Sequence, residues 1–469
     1  MLTQTVYGDS RLSLWLRVRK FAVPPSMIAT ATARRRAGDW AGACTAAGVD
    51  VDLNLRSVAR AHGRELASGI RADLRHLAPD LLRWHMPRIA PDGLLRPGLT
   101  IALARYDAAG RDGEGPLHLV ARTPPAWADA GQRISLALWE GSHGEADACR
   151  RAHPHRRPNR RFRLDLHRHL WDARRADELR VRGGADGPAV HGRPAIDPDP
   201  LGLVPPEHGC AVDRWAAEAL ILLHAEGRSS GSVAVRIGAR HRLVLNLPAD
   251  PDSPEPAVLR TATASTEGGG RALPVLPDAA TWVPPDLELL RTGSIEADRL
   301  HPLVASALAP GHEPAGTCRP LECAGQPRLV QCRGVQHRIG LVDGILAPLD
   351  HDPAEIRREE LLVALTGTSL PCLQAIDEAH RRPDCLTGVR ERLDHGDTAG
   401  ALAVVEGLLG PDALLRGGDL RDELEVAALR RLSYGLFRAG LIGPGPGRIR
   451  PDRRRPRERR PGHRHATSR

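Results

Sequence analysis

LTIALARY, residues 99–106, decides how this chain is divided. Leu99, Ile101 and Leu103 alternate with Thr100, Ala102 and Ala104, the period of two that belongs to a β-strand. LHLVART at 117–123 and RISLALW at 133–139 repeat the alternation, and Gly-, Pro- and Asp-rich segments separate the three. RFRLDLH at 161–167 predicts a further strand. SVAVRIG at 232–238 and HRLVLNL at 241–247 predict a hairpin, and the residues between 183 and 209 read as loop.

On both sides of this middle the period is helical. Upstream, Leu66, Ile70, Leu74 and Leu77 form one apolar stripe, while Asp39 and Ser26 stand where helix caps belong. Residues 11–19 alternate instead, which predicts a strand ended by Pro24 and Pro25. Ala211–Glu226 is predicted helical with Trp215, Ala219, Leu222 and Leu223 on one side. Downstream, Asp352-Pro353-Ala354-Glu355 has the form of a capping box with proline in the first turn. Helices are expected from there to Gly440. The fold class is therefore α+β. Its expected parts are an N-terminal strand or extension (1–25), a helical N-terminal unit (26–92), a strand-rich antiparallel middle (93–275), a junction of short helices and a hairpin (276–352), an all-helical C-terminal domain (353–441) and a disordered basic tail (442–469). Asp39-Trp40-Ala41-Gly42 is echoed by Asp397-Thr398-Ala399-Gly400, two helix starts of one form too far apart to be a repeat array.

The net charge of +9 is unevenly placed. Two runs, 150–175 and 448–469, each carry ten Arg against two acids, and the remainder is net acidic. Lys20 is the only lysine, so the basic excess is arginine in a chain rich in Ala, Gly and Pro. The pattern reflects coding composition as much as a demand for phosphate binding. Within the runs, Arg156, Arg157, Arg160, Arg161, Arg453, Arg454 and Arg455 are the candidate nucleic-acid contacts, nonspecific ones, because no aromatic side chains in the tail offer base stacking. No uninterrupted apolar segment suggests a secretory signal or a membrane span. The eight cysteines are too dispersed for a disulfide framework, so a reducing cytoplasm is the expected location. The natural start, Met1 or Met27, is left open.

Several chemistries are excluded. A single lysine flanked by Arg19 and Phe21 leaves no phosphate-binding GK[ST] loop and no kinase lysine. HExxH, CxxC and GxGxxG are missing. Cys318, Cys323, Cys332 and His337 offer the right donors for zinc in the pattern C-x4-C-x8-C-x4-H, but the spacing lacks a tight knuckle. Cys332 and His337 would lie on opposite faces of a strand unless a turn at Gly334 intervenes. Buried cysteines in a hairpin are the expected outcome, with no metal and no cofactor. Asp165, His167 and His169 would share one face of the predicted 161–167 strand, a metal-like set set against neighbouring arginines. Asn54–Gly63 has the small residue and turn glycine of a helix-turn-helix, but Arg64 and Gly69 fit a plain helical hairpin better. The reading that remains is a non-catalytic interaction or accessory protein with an unknown protein partner and no membrane contact. The alternatives are a nucleic-acid-associated protein using the 150–175 run and the tail, and an enzyme with an unfamiliar site in the middle.

Overall fold

The structure, a computed structural model, describes residues 8–107, 116–128, 132–140, 157–186, 195–196, 209–238, 241–248, 257–261, 273–311, 328–332, 334–342, 345–366, 370–381, 386–409, 415 and 417–441. The proposed tail, 442–469, lies outside them.

The N-terminus corrects the first expectation: residues 11–19 are helical. Helix α1 (Gly8–Arg17) continues into a π-helical turn, Val18–Ala22, in which the Val23 N–H donates to the Val18 carbonyl at 3.0 Å. Arg11, Leu14, Trp15 and Val18 are buried, whereas Leu16 is 38% exposed. Leu14 and Val18 fit either a two-residue or a four-residue period, and Trp15 selects the second. Its ring packs on Trp84 with centroids 5.2 Å apart, so it must point inward beside Leu14.

Helix α2 (Pro25–Arg36) opens with Pro25 in its first turn, so Ser26 is not its cap. Asp39 does cap α3 (Trp40–Ala46), accepting from the Gly42 N–H at 2.8 Å. Strand β1 (Val49–Val51) precedes a helical hairpin, α4 (Leu55–His62) and α5 (Arg64–His76). Asn54 caps α4, and Gly63 makes the turn at φ +93°, a conformation side chains disfavour. Helix α6 (Pro79–His85) is buried along its whole length. Two short strands, β2 (Arg88–Ile89) and β3 (Leu94–Leu95), then pair with each other.

The three alternating stretches form β4 (Thr100–Tyr106), β5 (Leu117–Arg122) and β6 (Ile134–Glu140) as expected. They pair antiparallel, and β1 adds to β6 in parallel, giving the order β1-β6-β5-β4. Residues 161–167 are not a strand. The segment covers the open edge of β4 through one isolated bridge, Ala102 to Arg163, and through N–H donation from Asn159 to Thr100 O and from Asp165 to Ala102 O. An edge covered this way is closed to foreign strands. The reason for the departure lies in Phe162, Leu164 and Trp171, all buried, whose spacing follows a chain of turns into the core.

One apolar core joins these parts. Leu14, Ile70, Leu74, Trp84, Ile101 and Phe162 share it with Leu289 and Val304 from α10 (Pro285–Arg291) and α11 (Pro302–Leu308), which follow α7 (Glu178–Gly183), α8 (Trp215–Ala225) and α9 (Asp278–Thr281) in the chain. A second core lies under α8, where Trp215, Ala219, Leu222 and Leu223 meet the sheet β7-β10-β9-β8. Its strands are β7 (Ala195–Ile196), β8 (Gly231–Ile237), β9 (His241–Leu247) and β10 (Val258–Thr261).

The C-terminal part starts with the three-stranded sheet β11 (Arg328–Cys332), β12 (Val335–Val342) and β13 (Ile345–Pro348). Helices α12 (Pro353–Thr366), α13 (Pro371–Arg381), α14 (Leu386–Asp394), α15 (Thr398–Leu409) and α16 (Asp419–Arg438) follow. Val389, Leu393, Ala401, Val405 and Leu420 form their own small core. The mixed class is as the sequence implies: several small, mostly antiparallel sheets and a helical C-terminal region. Among the described residues no helix is long and apolar enough to cross a membrane.

Arg83 ties the C-terminal helices to the N-terminal core. It is buried, and its guanidinium donates to Ala22 O at 2.9 Å, Gln132 O at 2.5 Å and His395 O at 2.8 Å. Tyr434 on α16 adds a hydrogen bond to Asp50 at 2.6 Å, and Arg133 grips the same carboxylate with two bonds of 2.8 Å. Replacing Arg83 by Met keeps the stem and strips three buried carbonyls of a donor. Arg83→Met is expected to lose about 3 kcal/mol or more of unfolding free energy, read from the urea midpoint. A loss below about 0.5 kcal/mol, the level of an ordinary surface change, would contradict the tie.

Candidate functional site

The fold gathers several buried sets of acidic and imidazole side chains, which differ in what they bond to. His167 and His169 come near one another, with ring centroids 5.8 Å apart, though on turns and not on a strand face. Arg163 holds Asp165 with a bond of 2.8 Å. His167 receives no metal-like partner: its Nδ1 faces Arg163 O at 2.9 Å and its Nε2 lies 3.2 Å from Glu218 on α8. Arg182 of α7 holds the other side of Glu218, with 2.9 Å from Nε to Oε1. Burial pushes the Glu218 carboxyl up, but the hydrogen bonds and charges of His167 and Arg182 outweigh it and leave the group well below the usual carboxylate range. His169 accepts from Arg182 at 3.5 Å, which requires a neutral ring. Burial first, then the neighbouring His167 and Arg182, lower its pKa well below the ordinary imidazole value. This set joins the first core to the second through α8. Its charges are mutually neutralised, leaving no cation site.

A second buried set, which sequence reading missed, surrounds α6. Asp286 of α10 pairs with Arg19 at 3.1 Å and accepts from the Trp84 indole at 2.7 Å. The Arg19 guanidinium lies over the Trp84 ring at 4.5 Å. Asp80 meets His301 at 3.0 Å, and His85 is fully enclosed, which drives its pKa well below normal. Arg19 and Asp286 are 267 positions apart, so no local spacing could announce them.

The basic run is also internally committed. Arg161 bonds the buried Asp278 at 2.5 Å, Arg168 and Arg174 both reach Asp73 and Asp172, and Arg175 pairs with Glu178. Arg157 and Arg160 are exposed. Arg156, Arg453, Arg454 and Arg455 lie outside the described residues. The arginines that looked like a phosphate-binding patch serve largely as internal counter-charges.

The cysteine cluster is rearranged. Gly334, at φ +85°, turns β11 into β12, and the register pairs Val330 with His337 and Cys332 with Val335. Paired residues share a face, so Cys332 and His337 project together. That face packs on α13, bringing Cys372 and Leu370 to Cys332 and Ile339. His351, one position before the Asp352 cap, lays its ring flat on His337, with centroids 4.0 Å apart and planes 11° apart. The thiols of Cys332 and Cys372 and a ring nitrogen of His351 all lie within 4.8 Å of one another. Burial and the hydrogen bond with Cys332 push the Cys372 thiol up to about 11. Cys318 and Cys323, the other expected members, lie outside the described residues. His351 and Cys372 were not legible as partners because they reach Cys332 through a strand pairing and a helix, with no shared local motif.

One surface stands apart from these buried sets. On α16, Leu420, Leu424 and Ala427 pack against α14 and α15. On the other side Leu429 and Leu432 are 62% and 64% exposed, and Leu436 is exposed as well.

No family model, no curated protein and no solved structure matches this chain.

His85 and His169 make an acid-side prediction. Their folded-state pKa values are depressed, so below an unfolded value of about 6.5 the unfolded chain binds protons that the folded chain refuses. Stability should fall as pH drops through about 6.5, by up to about 1.4 kcal/mol per pH unit for each histidine. Chemical denaturation at pH 7, 6 and 5 measures the slope, and His169→Gln should flatten it. An unchanged slope in that variant would show that His169 titrates normally.

Proposed function

We propose that this protein is a non-catalytic interaction component that docks an amphipathic helix of a partner protein on the α16 leucine seam. The observation that carries the reading is the exposure of Leu429, Leu432 and Leu436 on a helix whose opposite face is anchored. Their steps of three and four residues are those of one coiled-coil seam, and the exposed Ala428, Gly435 and Ala439 beside them allow another helix to approach closely. Burying a leucine side chain is worth about 1.5–3 kcal/mol, so Leu429 and Leu432 left largely in water, with Leu436 partly so at 39%, represent binding energy held unused.

The helix is also held in place to present them. Tyr434 bonds Asp50, Arg438 reaches Asp50 and Asp52, and Phe437 meets the edge of Trp127 with centroids 5.4 Å apart. A docking face that is already rigid avoids an ordering cost on binding. A second copy of the chain is the less suitable occupant. Two-fold pairing through Leu432 would set the exposed Arg431 of each copy close to the other. An amphipathic helix with apolar residues at matching intervals and an acidic residue opposite Arg431 meets the seam without that repulsion.

Inside the molecule, the buried carboxylates of Glu218 and Asp286 are each held by an arginine and a second side chain. A photo-crosslinking residue at Leu432 in the full chain tests the proposal. A discrete adduct with one other protein is expected, reduced at least tenfold by Leu429→Arg with Leu436→Arg, while circular dichroism and the melting temperature stay unchanged. An adduct of twice the chain's own mass, or one indifferent to the arginine substitutions, would contradict it.

A further inference from the structure

We infer that Cys332, Cys372 and His351 form a zinc-binding centre that fastens the β11–β13 sheet to α13. Three features converge on this site. The first is donor type: two thiols and an imidazole are the borderline-soft ligands zinc selects, and such a trio fills three of its four tetrahedral positions. The second is distance. With zinc bonds of about 2.3 Å to sulfur and 2.0 Å to nitrogen, ligand atoms sit about 3.5–3.8 Å apart, so a set already within 4.8 Å needs only a small contraction.

The third feature is a buried imidazole nitrogen without a partner. The His351 side chain is 4% exposed, and its Nε2 is buried with no hydrogen bond. Its Nδ1 lies 3.5 Å from a Glu355 carboxylate oxygen. A carboxylate on Nδ1 places the proton there and leaves Nε2 as a lone pair, the arrangement that outer carboxylates impose on metal-binding histidines. A buried ring nitrogen without a partner costs about 1–3 kcal/mol, which a metal ion would remove. His337, whose Nδ1 is likewise buried and unpartnered, stacks on this ring and fixes its plane.

The surroundings suit a neutral centre. Cys332 and Cys372 are fully buried among Ile339, Leu370 and the half-buried Val330 and Ile356. Zinc binding releases the two thiol protons to solvent, and the two thiolates then balance the ion's two charges, so no net charge is buried. The ligands come from β11, the residue before the α12 cap, and the first turn of α13. These segments are otherwise joined by a small apolar core, and one ion would hold all three.

The experiment uses the full chain, reduced and stripped of metal, with zinc as the probe and a chromophoric chelator as competitor. Binding of one zinc per chain is expected, together with a rise in melting temperature that chelation reverses. Cobalt(II) in place of zinc should give the intense visible bands of a tetrahedral site and a near-ultraviolet thiolate charge-transfer band. Cys372→Ser and His351→Ala should each weaken zinc at least a hundredfold, Glu355→Ala about tenfold, and Cys44→Ser not at all. If the cysteine variant fails to fold, His351→Ala and the cobalt spectrum of the unaltered chain carry the test. No zinc uptake at micromolar zinc, a cobalt spectrum without the thiolate band, or stoichiometric zinc in His351→Ala would each overturn the inference.

Discussion

Arg83 donates three hydrogen bonds to backbone carbonyls from residues 22, 132 and 395, and the architecture depends on that convergence. Ala22 ends the π-helical turn, Gln132 leads into β6, and His395 follows directly on α14. A guanidinium suits the task because its donors are fixed in a plane and cannot lose their protons. His395 adds a contact from the other side, its Nε2 facing Asp92 O at 2.9 Å. The C-terminal helices are thus seated on the N-terminal core by charged or polar groups bonded to main chain. Such contacts are demanding in geometry, so they specify a single arrangement where a purely apolar interface could slide.

The same economy explains the arginine-rich composition. Only 3% of residues are aromatic, and the chain uses arginine where another protein would place a large ring. Arg19 lies over Trp84, Arg168 over Trp171, and Arg11 beside Trp282. Each guanidinium stacks on an indole, and those of Arg19, Arg168 and Arg11 also pair with a carboxylate. The number of arginines in the sequence is therefore a poor guide to surface potential in this molecule, since many of them are paired internally with carboxylates.

How much of this was legible follows from range. Strands β4, β5, β6, β8 and β9, helix α8 and the stripe of α5 were readable because their period is local and their burial is one-sided. The Asp39 and Asp397 caps were readable for the same reason, and both recur with an arginine five residues before the acid, Arg34 and Arg392. Residues 11–19 misled because Leu14 and Val18 satisfy two periods, and only the packing of Trp15 on Trp84 chooses between them. Residues 161–167 misled because turns can carry alternating apolar residues into a core. Of the thiol–imidazole cluster, Cys332 and His337 were visible as donors, and the Gly334 turn that unites them was anticipated as the condition for it. His351 and Cys372 were out of reach, since nothing local links a residue before a helix cap to another in the next helix. The α16 seam was hidden in a different way: Leu420, Leu424, Leu429, Leu432 and Leu436 surround the helix, and which of them lie bare depends on how α14 and α15 cover it.

A preformed leucine surface requires α16 to be fixed to the N-terminal core. Native-state hydrogen exchange measures this most directly. Amides of residues 430–438 should open with the same free energy as those of β4 and β5, and Arg83→Met should lower both together. Fast exchange in α16 that ignores the Arg83 substitution would contradict it, leaving the helix independent of the core and its leucine seam without a platform.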